Sequence, residues 1–137
     1  MITMTKRIEF DAGHRLMNHE SKCRNLHGHR YVVEVTIEMP STGLDVAGRI
    51  IDFGEVKRIV GGWIDDNLDH GFIANVEDVA VIDFIRKAGS KLHVVECEPS
   101  AENLSALLLN KARELLPAFK VSSVVVFETP TSSAEAT

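Results

Sequence analysis

Three histidines of this 137-residue chain are spaced so that their side chains point the same way. His14 ends a segment that alternates like a β-strand, and His27 and His29 begin a second such segment. Because strand side chains repeat every two residues, all three imidazoles continue the apolar faces of two strands that can pair as neighbours. Three neutral imidazoles converging at the edge of a core make a zinc site with an open fourth position, the arrangement of catalytic zinc. The spacing therefore predicts zinc bound by these three histidines.

The alternative is that the three histidines are exposed or satisfied by other protein groups. It requires three imidazoles on one apolar face without a ligand, where each unpartnered polar group costs about 1–3 kcal/mol. An imidazole-only site suits zinc best, and iron, copper and nickel are the other metals that it accommodates.

A cysteine lies near this cluster in the sequence. Cys23 precedes His27 by four residues and stands between Lys22 and Arg24. Neighbouring positive charge raises the thiolate fraction of a thiol, so Cys23 is a candidate general base or fourth metal ligand. The alternative interpretation, which applies if Cys23 is considered without the histidines, is that its thiol is structural or incidental.

Two further carboxylates have both a functional and a structural interpretation. Asp69 beside His70 is either a cap next to a surface histidine or a relay in which the carboxylate orients and supports the imidazole. Glu128 shares its strand face with Val124 and Val126. It is either a strand end that reaches solvent or an anchor that holds a heterocycle through paired hydrogen bonds. The spacing alone leaves both alternatives open.

The composition argues against some classes of partner. With a net charge of −5, neither nucleic acid nor an anionic membrane is expected as the main partner, because both need a basic surface. No apolar run approaches the roughly 18–20 residues that span a bilayer, and the N-terminus lacks the apolar region of a secretion signal. We therefore expect a cytoplasmic protein, without a disulfide between Cys23 and Cys97.

The elements that must position these residues follow from hydrophobic periodicity and from turn residues. Four strands are predicted at 5–12, 30–39, 91–96 and 121–129. Three helices are predicted at 53–68, 78–87 and 100–116. This order predicts one α+β domain over residues 1–137, with an antiparallel four-stranded sheet and helices packed on one face. The core is expected over 5–129, followed by a flexible tail of small and polar residues at 130–137.

Six short motifs run in order along nearly the whole chain. They are Phe10-x-Ala12-x-His14, Cys23-x-x-x-His27-Gly28-His29, Asp52-Phe53-Gly54, Leu68-Asp69-His70, Pro99-Ser100-x-Glu102-Asn103 and Glu128-Thr129. Each motif is weak alone. Together they resemble the 6-pyruvoyl-tetrahydropterin synthase family, which includes the bacterial 6-carboxy-5,6,7,8-tetrahydropterin synthases.

The resemblance implies the tunnelling fold, in which the sheets of several subunits close into an oligomeric barrel. It also implies a homo-oligomer, a hexamer made of two trimers, with active sites at the subunit interfaces. The family's zinc ligands correspond to the three histidines already named. Its other roles correspond to catalytic Cys23 (the general base), Asp69 and His70 (the relay) and Glu128 (the pterin anchor), and to substrate-binding Ser100, Glu102 and Glu128.

The resemblance further implies a zinc-dependent lyase acting on 7,8-dihydroneopterin triphosphate. The compact length favours the bacterial branch, which releases triphosphate and acetaldehyde and leaves 6-carboxy-5,6,7,8-tetrahydropterin for queuosine biosynthesis. Two alternatives stay open: a 6-pyruvoyl-tetrahydropterin synthase, which eliminates triphosphate for biopterin synthesis, and a non-catalytic zinc-dependent pterin-binding module. Two positions depart from the family pattern: Ser100, where threonine is frequent, and Gly71, where many relatives have a bulkier or more polar residue.

Overall fold

The two strands that carry the histidines lie in the middle of the sheet. The computed structural model describes residues 1–137. In it, β1 (Ile2–His14) pairs with β2 (His27–Met39) in antiparallel register, and His14 lies opposite His27. Both strands extend beyond their predicted bounds, and these extensions bring the histidines into the sheet.

The sheet has six strands in the order β4-β3-β1-β2-β5-β6. β3 runs parallel to β1 and to β4, whereas the other neighbouring pairs are antiparallel. The α+β class is confirmed, but the prediction of a four-stranded antiparallel sheet is wrong, because the sheet is mixed and has two more strands. The four strands beyond β1 and β2 are β3 (Gly71–Asn75), β4 (Leu92–Val95), β5 (Lys120–Thr129) and β6 (Ser132–Ala136).

The two missed strands lack the alternation that marks a half-buried strand. β3 is short and largely apolar, and its last three residues are all buried, as is usual for a parallel strand covered on both faces. β6 lies in the predicted flexible tail at 130–137 and consists mostly of small and polar residues. Its backbone pairs with β5, with Ser133 opposite Phe127, and this pairing orders the segment.

Helices occupy the three predicted regions, but the first region is interrupted. Its π-helical turn contains Gly61, which is buried and lies against Ile8 of β1. None of the helices combines the length and the apolarity that crossing a membrane requires. The helical elements are α1 (Phe53–Val56), the π-helical turn (Lys57–Gly61), α2 (Gly62–Asn67), α3 (Val79–Lys87) and α4 (Ala101–Leu115).

The helices cover one face of the sheet and leave the other face polar. Side chains of β1, β2 and β5 on the covered face join helix side chains in a cluster of 22 buried hydrophobic residues. On the other face, Arg7 and Glu34 form an ion pair across β1 and β2. The three histidines share the covered face, and His14 packs beside the buried Tyr31. The histidine cluster is therefore continuous with the core.

Backbone groups of the sheet are unpaired within the chain along part of β1 and along the outer strands β4 and β6. β3 pairs with β1 only at Ala12, Gly13 and His14, so the preceding part of β1 has a partner strand on one side only. β6 is the last strand at the opposite side of the sheet. Such edges can accept a further strand from another chain.

Candidate metal centre and active site

The structure brings the three predicted histidines together. The ring centroids of His14 and His27 are 4.7 Å apart, those of His27 and His29 are 4.9 Å apart, and those of His14 and His29 are 5.1 Å apart. Their ligand nitrogens all lie within 4.8 Å of one another. The cause is local, because His14 and His27 pair across the two strands and His29 follows on the same face two residues later.

Hydrogen bonds fix which ring nitrogen carries the proton in two of these histidines. Nδ1 of His14 is 2.7 Å from the carbonyl oxygen of Pro99, and Nδ1 of His27 is 2.7 Å from that of Asn25. A carbonyl oxygen only accepts, so both Nδ1 atoms donate, and in the neutral rings both Nε2 atoms carry a lone pair. Metal-binding histidines are usually oriented in this way through their second nitrogen.

The nitrogens that remain free face one another. Nε2 of His14 and Nε2 of His27 are 3.1 Å apart, and Nε2 of His29 is buried without a hydrogen-bond partner. Facing lone pairs repel, and a buried unpartnered polar atom costs about 1–3 kcal/mol, whereas a cation at this point satisfies all three. Zinc–nitrogen bonds of about 2.0–2.1 Å put tetrahedral ligand nitrogens roughly 3.3 Å apart. The donor set and its spacing therefore fit a divalent metal ion of this kind.

Burial favours the neutral rings that bind a metal. His14 is 1% exposed, and its desolvation lowers its pKa against the opposing effects of the Pro99 carbonyl and the Glu128 charge. Desolvation also lowers the pKa of His29. The hydroxyl of Tyr31 lies 3.2 Å from Nδ1 of His14, and burial raises the pKa of this hydroxyl, which keeps it protonated.

Glu128 lies beside the histidines. Its carboxylate oxygens are 3.5 Å from Nε2 of His29 and 3.8 Å from Nε2 of His14. The Glu128 side chain is 26% exposed. It therefore borders the histidine cluster on one side and is partly open to solvent on the other.

A cavity of about 200 Å³ joins Glu128 to the other two predicted substrate residues. Ser100 also caps α4, because its Oγ accepts a hydrogen bond from the backbone N–H of Asn103, which leaves the hydroxyl proton free to donate. Two carboxylates with hydroxyl groups suit a ring that presents several N–H donors. Sequence reasoning missed the two serines of β6, because it assigned them to the tail. The polar side chains that line the cavity are Ser100, Glu102, Glu128, Ser132 and Ser133.

Asp69 and His70 contact each other although they are neighbours in the sequence. Oδ2 of Asp69 is 2.9 Å from Nδ1 of His70. Oδ1 of Asp69 accepts a hydrogen bond from the backbone N–H of Asp11 at 3.0 Å, and this bond is the largest cause of the lowered pKa of Asp69. The Asp11 carboxylate joins the pair in a second cluster of ligand atoms within 4.8 Å of one another. The His70 imidazole is 77% exposed and open to groups outside the chain.

Cys23 is separate from both clusters. It is a half-buried free thiol in a 3₁₀ turn at Lys22–Arg24. Its sulfur belongs neither to the histidine cluster nor to the cluster that contains Asp69 and His70. A single chain therefore does not bring the predicted base and the predicted relay into one group.

Sequence reasoning also missed the groups that orient His14. The carbonyl of Pro99 is placed by a loop that is itself held by side chains. Nδ2 of Asn103 donates to the Glu98 carbonyl oxygen at 2.9 Å, and Nδ2 of Asn75 donates to Oε1 of Glu98 at 2.8 Å. The sequence did contain one signal for this loop, Asn103. It is the last residue of the motif that begins at Pro99, and no role was assigned to it.

Comparisons with known proteins identify the same family that the sequence motifs resemble. The family model described as 6-pyruvoyl tetrahydropterin synthase matches residues 3–137. The chain is 42% identical over 137 residues to 6-carboxy-5,6,7,8-tetrahydropterin synthase of Rickettsia bellii, covering 95% of this chain and 96% of the relative. It is 34% identical over 140 residues to the protein of the same name from Haemophilus influenzae, covering 98% of each.

Solved structures share the fold. An uncharacterized protein from Wolinella succinogenes superposes with a TM-score of 0.81 at 25% identity, covering 98% of this chain and 97% of that one. The 6-pyruvoyl tetrahydropterin synthase of Caenorhabditis elegans superposes with a TM-score of 0.68 at 22% identity, covering 98% of this chain and 94% of that one.

Proposed function

The chain belongs to the 6-pyruvoyl tetrahydropterin synthase family, and from this premise we propose that it is a 6-carboxy-5,6,7,8-tetrahydropterin synthase. In the proposed reaction, 7,8-dihydroneopterin triphosphate and water give 6-carboxy-5,6,7,8-tetrahydropterin, acetaldehyde and triphosphate. The observation that carries the proposal is the convergence of three histidine nitrogens beside the carboxylate of Glu128. Relatives that bear this name, at 42% identity over nearly the full length, support it.

The proposed metal is zinc, held by His14, His27 and His29. An imidazole-only donor set favours zinc among the common metals, and the spacing of the two facing Nε2 atoms suits it. When bound, zinc supplies Lewis acidity that acidifies carbon–hydrogen bonds next to the hydroxyls of the substrate side chain. The carbonyls of Pro99 and Asn25 keep two of the rings in the tautomer that leaves Nε2 free.

Glu128 is proposed to anchor the pterin ring. The pterin presents a guanidine-like edge with neighbouring N–H groups, to which a carboxylate accepts paired hydrogen bonds. Ser100 and Glu102 line the same cavity and provide further polar contacts. Because Glu128 is also close to His29, a ring held there has its side chain beside the histidine cluster, which is a positioning effect.

Cys23 and His70 are proposed to move protons. As a thiolate, Cys23 removes a proton from the substrate side chain, and His70 returns a proton at another position while Asp69 holds its ring. The hydrogen bond between Oδ2 of Asp69 and Nδ1 of His70 supports this role, because it leaves Nε2 of His70 for the substrate. Since Cys23 lies outside the cluster of Asp69 and His70, the proposal takes the relay from a neighbouring subunit.

The proposed assembly is a homo-oligomer, a hexamer of two trimers, whose sheets close into a barrel. Two features of the chain support pairing between copies: the open edge of β1 and the open edge of β6 at the other side of the sheet. Strand edges of this kind pair readily with a second chain. The exposed His70 imidazole also suits a group that acts in a site of another subunit.

Product analysis tests the proposed activity. Purified zinc-loaded protein is incubated with 7,8-dihydroneopterin triphosphate, and every product is identified by mass. The proposal expects acetaldehyde and triphosphate in equal amounts, together with the 6-carboxy product. A pyruvoyl product without acetaldehyde would identify a 6-pyruvoyl-tetrahydropterin synthase instead. Ligand binding without any turnover would identify a non-catalytic pterin-binding module.

A further inference from the structure

His70 has an unusual backbone conformation. Its φ angle is +58°, and it is the only residue other than glycine with a positive φ. Side chains with a Cβ rarely adopt this left-handed conformation, and a strained residue of this kind persists only where its surroundings hold it. The groups that hold His70 therefore decide where its imidazole points.

Contacts with β1 hold one side of the His70 segment. The backbone N–H of His70 donates to the Asp11 carbonyl at 2.7 Å, and the backbone N–H of Asp11 donates to Oδ1 of Asp69 at 3.0 Å. These two bonds hold the amide of His70 and the carboxylate of Asp69. The carbonyl oxygen of Asp69, at the other end of the same planar peptide, needs a donor of its own.

Lys91 binds that carbonyl. Its Nζ donates to the carbonyl oxygen of Asp69 at 2.7 Å and to that of Asp65 at 2.8 Å. Asp65 belongs to α2, so the ammonium group ties the peptide before His70 to the end of a helix packed on the core. Hydrogen bonds from a charged donor are about twice as strong as neutral ones.

Gly71 makes room for this lysine. A Cβ at Gly71 would lie 2.9 Å from Cδ and 3.0 Å from Cγ of Lys91, so the lysine stem occupies the space that a side chain would fill. Strand pairing places the two residues together, because the backbone N–H of Phe72 donates to the Lys91 carbonyl at 3.0 Å. Together with the Leu68 carbonyl oxygen, 3.1 Å from the same Cβ position, this contact favours glycine directly after His70.

We propose that Lys91, seated over Gly71, is a positioning residue that holds the Asp69–His70 peptide in its left-handed conformation and so aims the His70 imidazole. The inference rests on the proposed function, in which His70 transfers a proton. Lys91 does not touch the substrate in this account; it acts through His70. Contacts among Lys91, Gly71 and the peptide before His70 thus join the turn after α2 to the residue that precedes β4.

Lys91→Met tests the proposal, because methionine keeps much of the stem and removes the ammonium group. Lys87→Met is the matched control, since Lys87 is exposed in the neighbouring α3 and makes no side-chain hydrogen bond. We expect Lys91→Met to lower kcat by about tenfold to hundredfold, the usual effect of misplacing a reacting group. KM and bound zinc should stay close to those of the control, whereas the melting temperature should fall by about a few degrees, because two charge-assisted hydrogen bonds are lost. A purely structural lysine would lower the melting temperature and leave kcat unchanged, and an unchanged kcat overturns the proposal.

Hydrogen–deuterium exchange gives a second readout that needs no substrate. The amide of His70 should exchange faster in Lys91→Met than in the wild type and in Lys87→Met, and equal exchange overturns the proposal. If the wild-type protein does not turn over the pterin, the proposed function fails, while the exchange comparison still decides whether Lys91 holds the peptide. Should Lys91→Met not fold, Lys91→Gln carries the same test, because its amide is too short to reach both carbonyls.

Discussion

A carboxylate oxygen of Glu128 lies 3.5 Å from Nε2 of His29. The proposed anchor of the pterin ring and the proposed metal ligands are therefore parts of one site. A change at Glu128 can alter substrate binding, metal binding or both, so the two quantities have to be measured separately.

Glu128→Gln should weaken substrate binding without removing the metal. Glutamine keeps the shape but loses the charge and one of the two acceptor oxygens, and hydrogen bonds to a charged group are worth about 1.5–3 kcal/mol. This predicts a KM for 7,8-dihydroneopterin triphosphate that rises by about tenfold to hundredfold. Steady-state kinetics and metal analysis measure the two effects. Glu135→Gln, at an exposed position of β6, is the control, and unaltered kinetics of Glu128→Gln would leave the anchor unsupported.

His27→Ala should lose the metal. Removing one of three ligands takes away a nitrogen whose lone pair faces Nε2 of His14 at 3.1 Å. Loss of a residue that only hydrogen-bonds to a metal ligand weakens metal affinity by about tenfold to hundredfold. Loss of the ligand itself should therefore weaken it more. Metal analysis after dialysis against a weak chelator gives the occupancy. His19→Ala, outside the cluster, should retain the metal; full occupancy in His27→Ala would contradict the ligand assignment.

Cys23→Ala should keep the metal and lose turnover. Its sulfur lies outside the histidine cluster, so metal content should match the wild type, whereas a reaction that needs a thiolate base should slow by about a hundredfold or more. Metal analysis and initial rates distinguish the two. The second free cysteine, Cys97, provides the control variant Cys97→Ala, which should remain active. Wild-type rates in Cys23→Ala would remove this residue from the mechanism.

A partly buried ion pair between Arg15 and Asp78, next to His14, predicts acid sensitivity. Arg15 donates to both carboxylate oxygens of Asp78 at 2.6 Å, and Asp78 is 3% exposed. This hydrogen bonding is the largest cause of the lowered pKa of Asp78. A carboxyl with a lowered folded-state pKa adds stability above its unfolded pKa of about 3.9, and the contribution is lost as the pH falls through the folded-state pKa.

Asp78→Asn measures this contribution. We expect it to lower the free energy of unfolding by about 1.5–3 kcal/mol at neutral pH, because it removes charge-assisted hydrogen bonds between Asp78 and the partly exposed Arg15. The difference from the wild type should be constant between about pH 7 and pH 5 and should shrink below about pH 4. Denaturant titrations at several pH values provide the comparison, and a difference that does not change with pH would contradict the assignment.

The histidine cluster could be predicted from the sequence because it depends on local geometry. Two neighbouring strands with a period of two place His14, His27 and His29 on one face once the strands pair. The carbonyl of Pro99 could not be predicted, because it reaches His14 through contacts between residues far apart in the chain. Backbone groups carry no sequence signal, so the tautomer of His14 could be inferred only from the structure.

Strands could be predicted where polar and apolar side chains alternate. They could not be predicted where backbone pairing, and not a side-chain pattern, forms the strand. The strands that contain the histidines and the valine-rich β5 have clear patterns, and all three were predicted. β3 has no alternation because it is buried on both faces, and β6 is ordered by pairing with β5. The contact between Asp69 and His70 was left open because neighbours in the sequence need not touch through their side chains; the structure shows both this contact and a positive φ at His70.

The pairing of β1 with β2 affects the order in which the histidine cluster and its hydrogen-bond partners come together during folding. All three imidazoles belong to one hairpin, and hairpins form early because their contacts are local in the chain. The oxygen that aligns His14 comes from Pro99, 85 residues away, and arrives only when the second half of the chain has docked. On the proposed metal assignment, the hairpin alone offers a loosely held set of ligands, and the docking of Pro99 makes that set rigid.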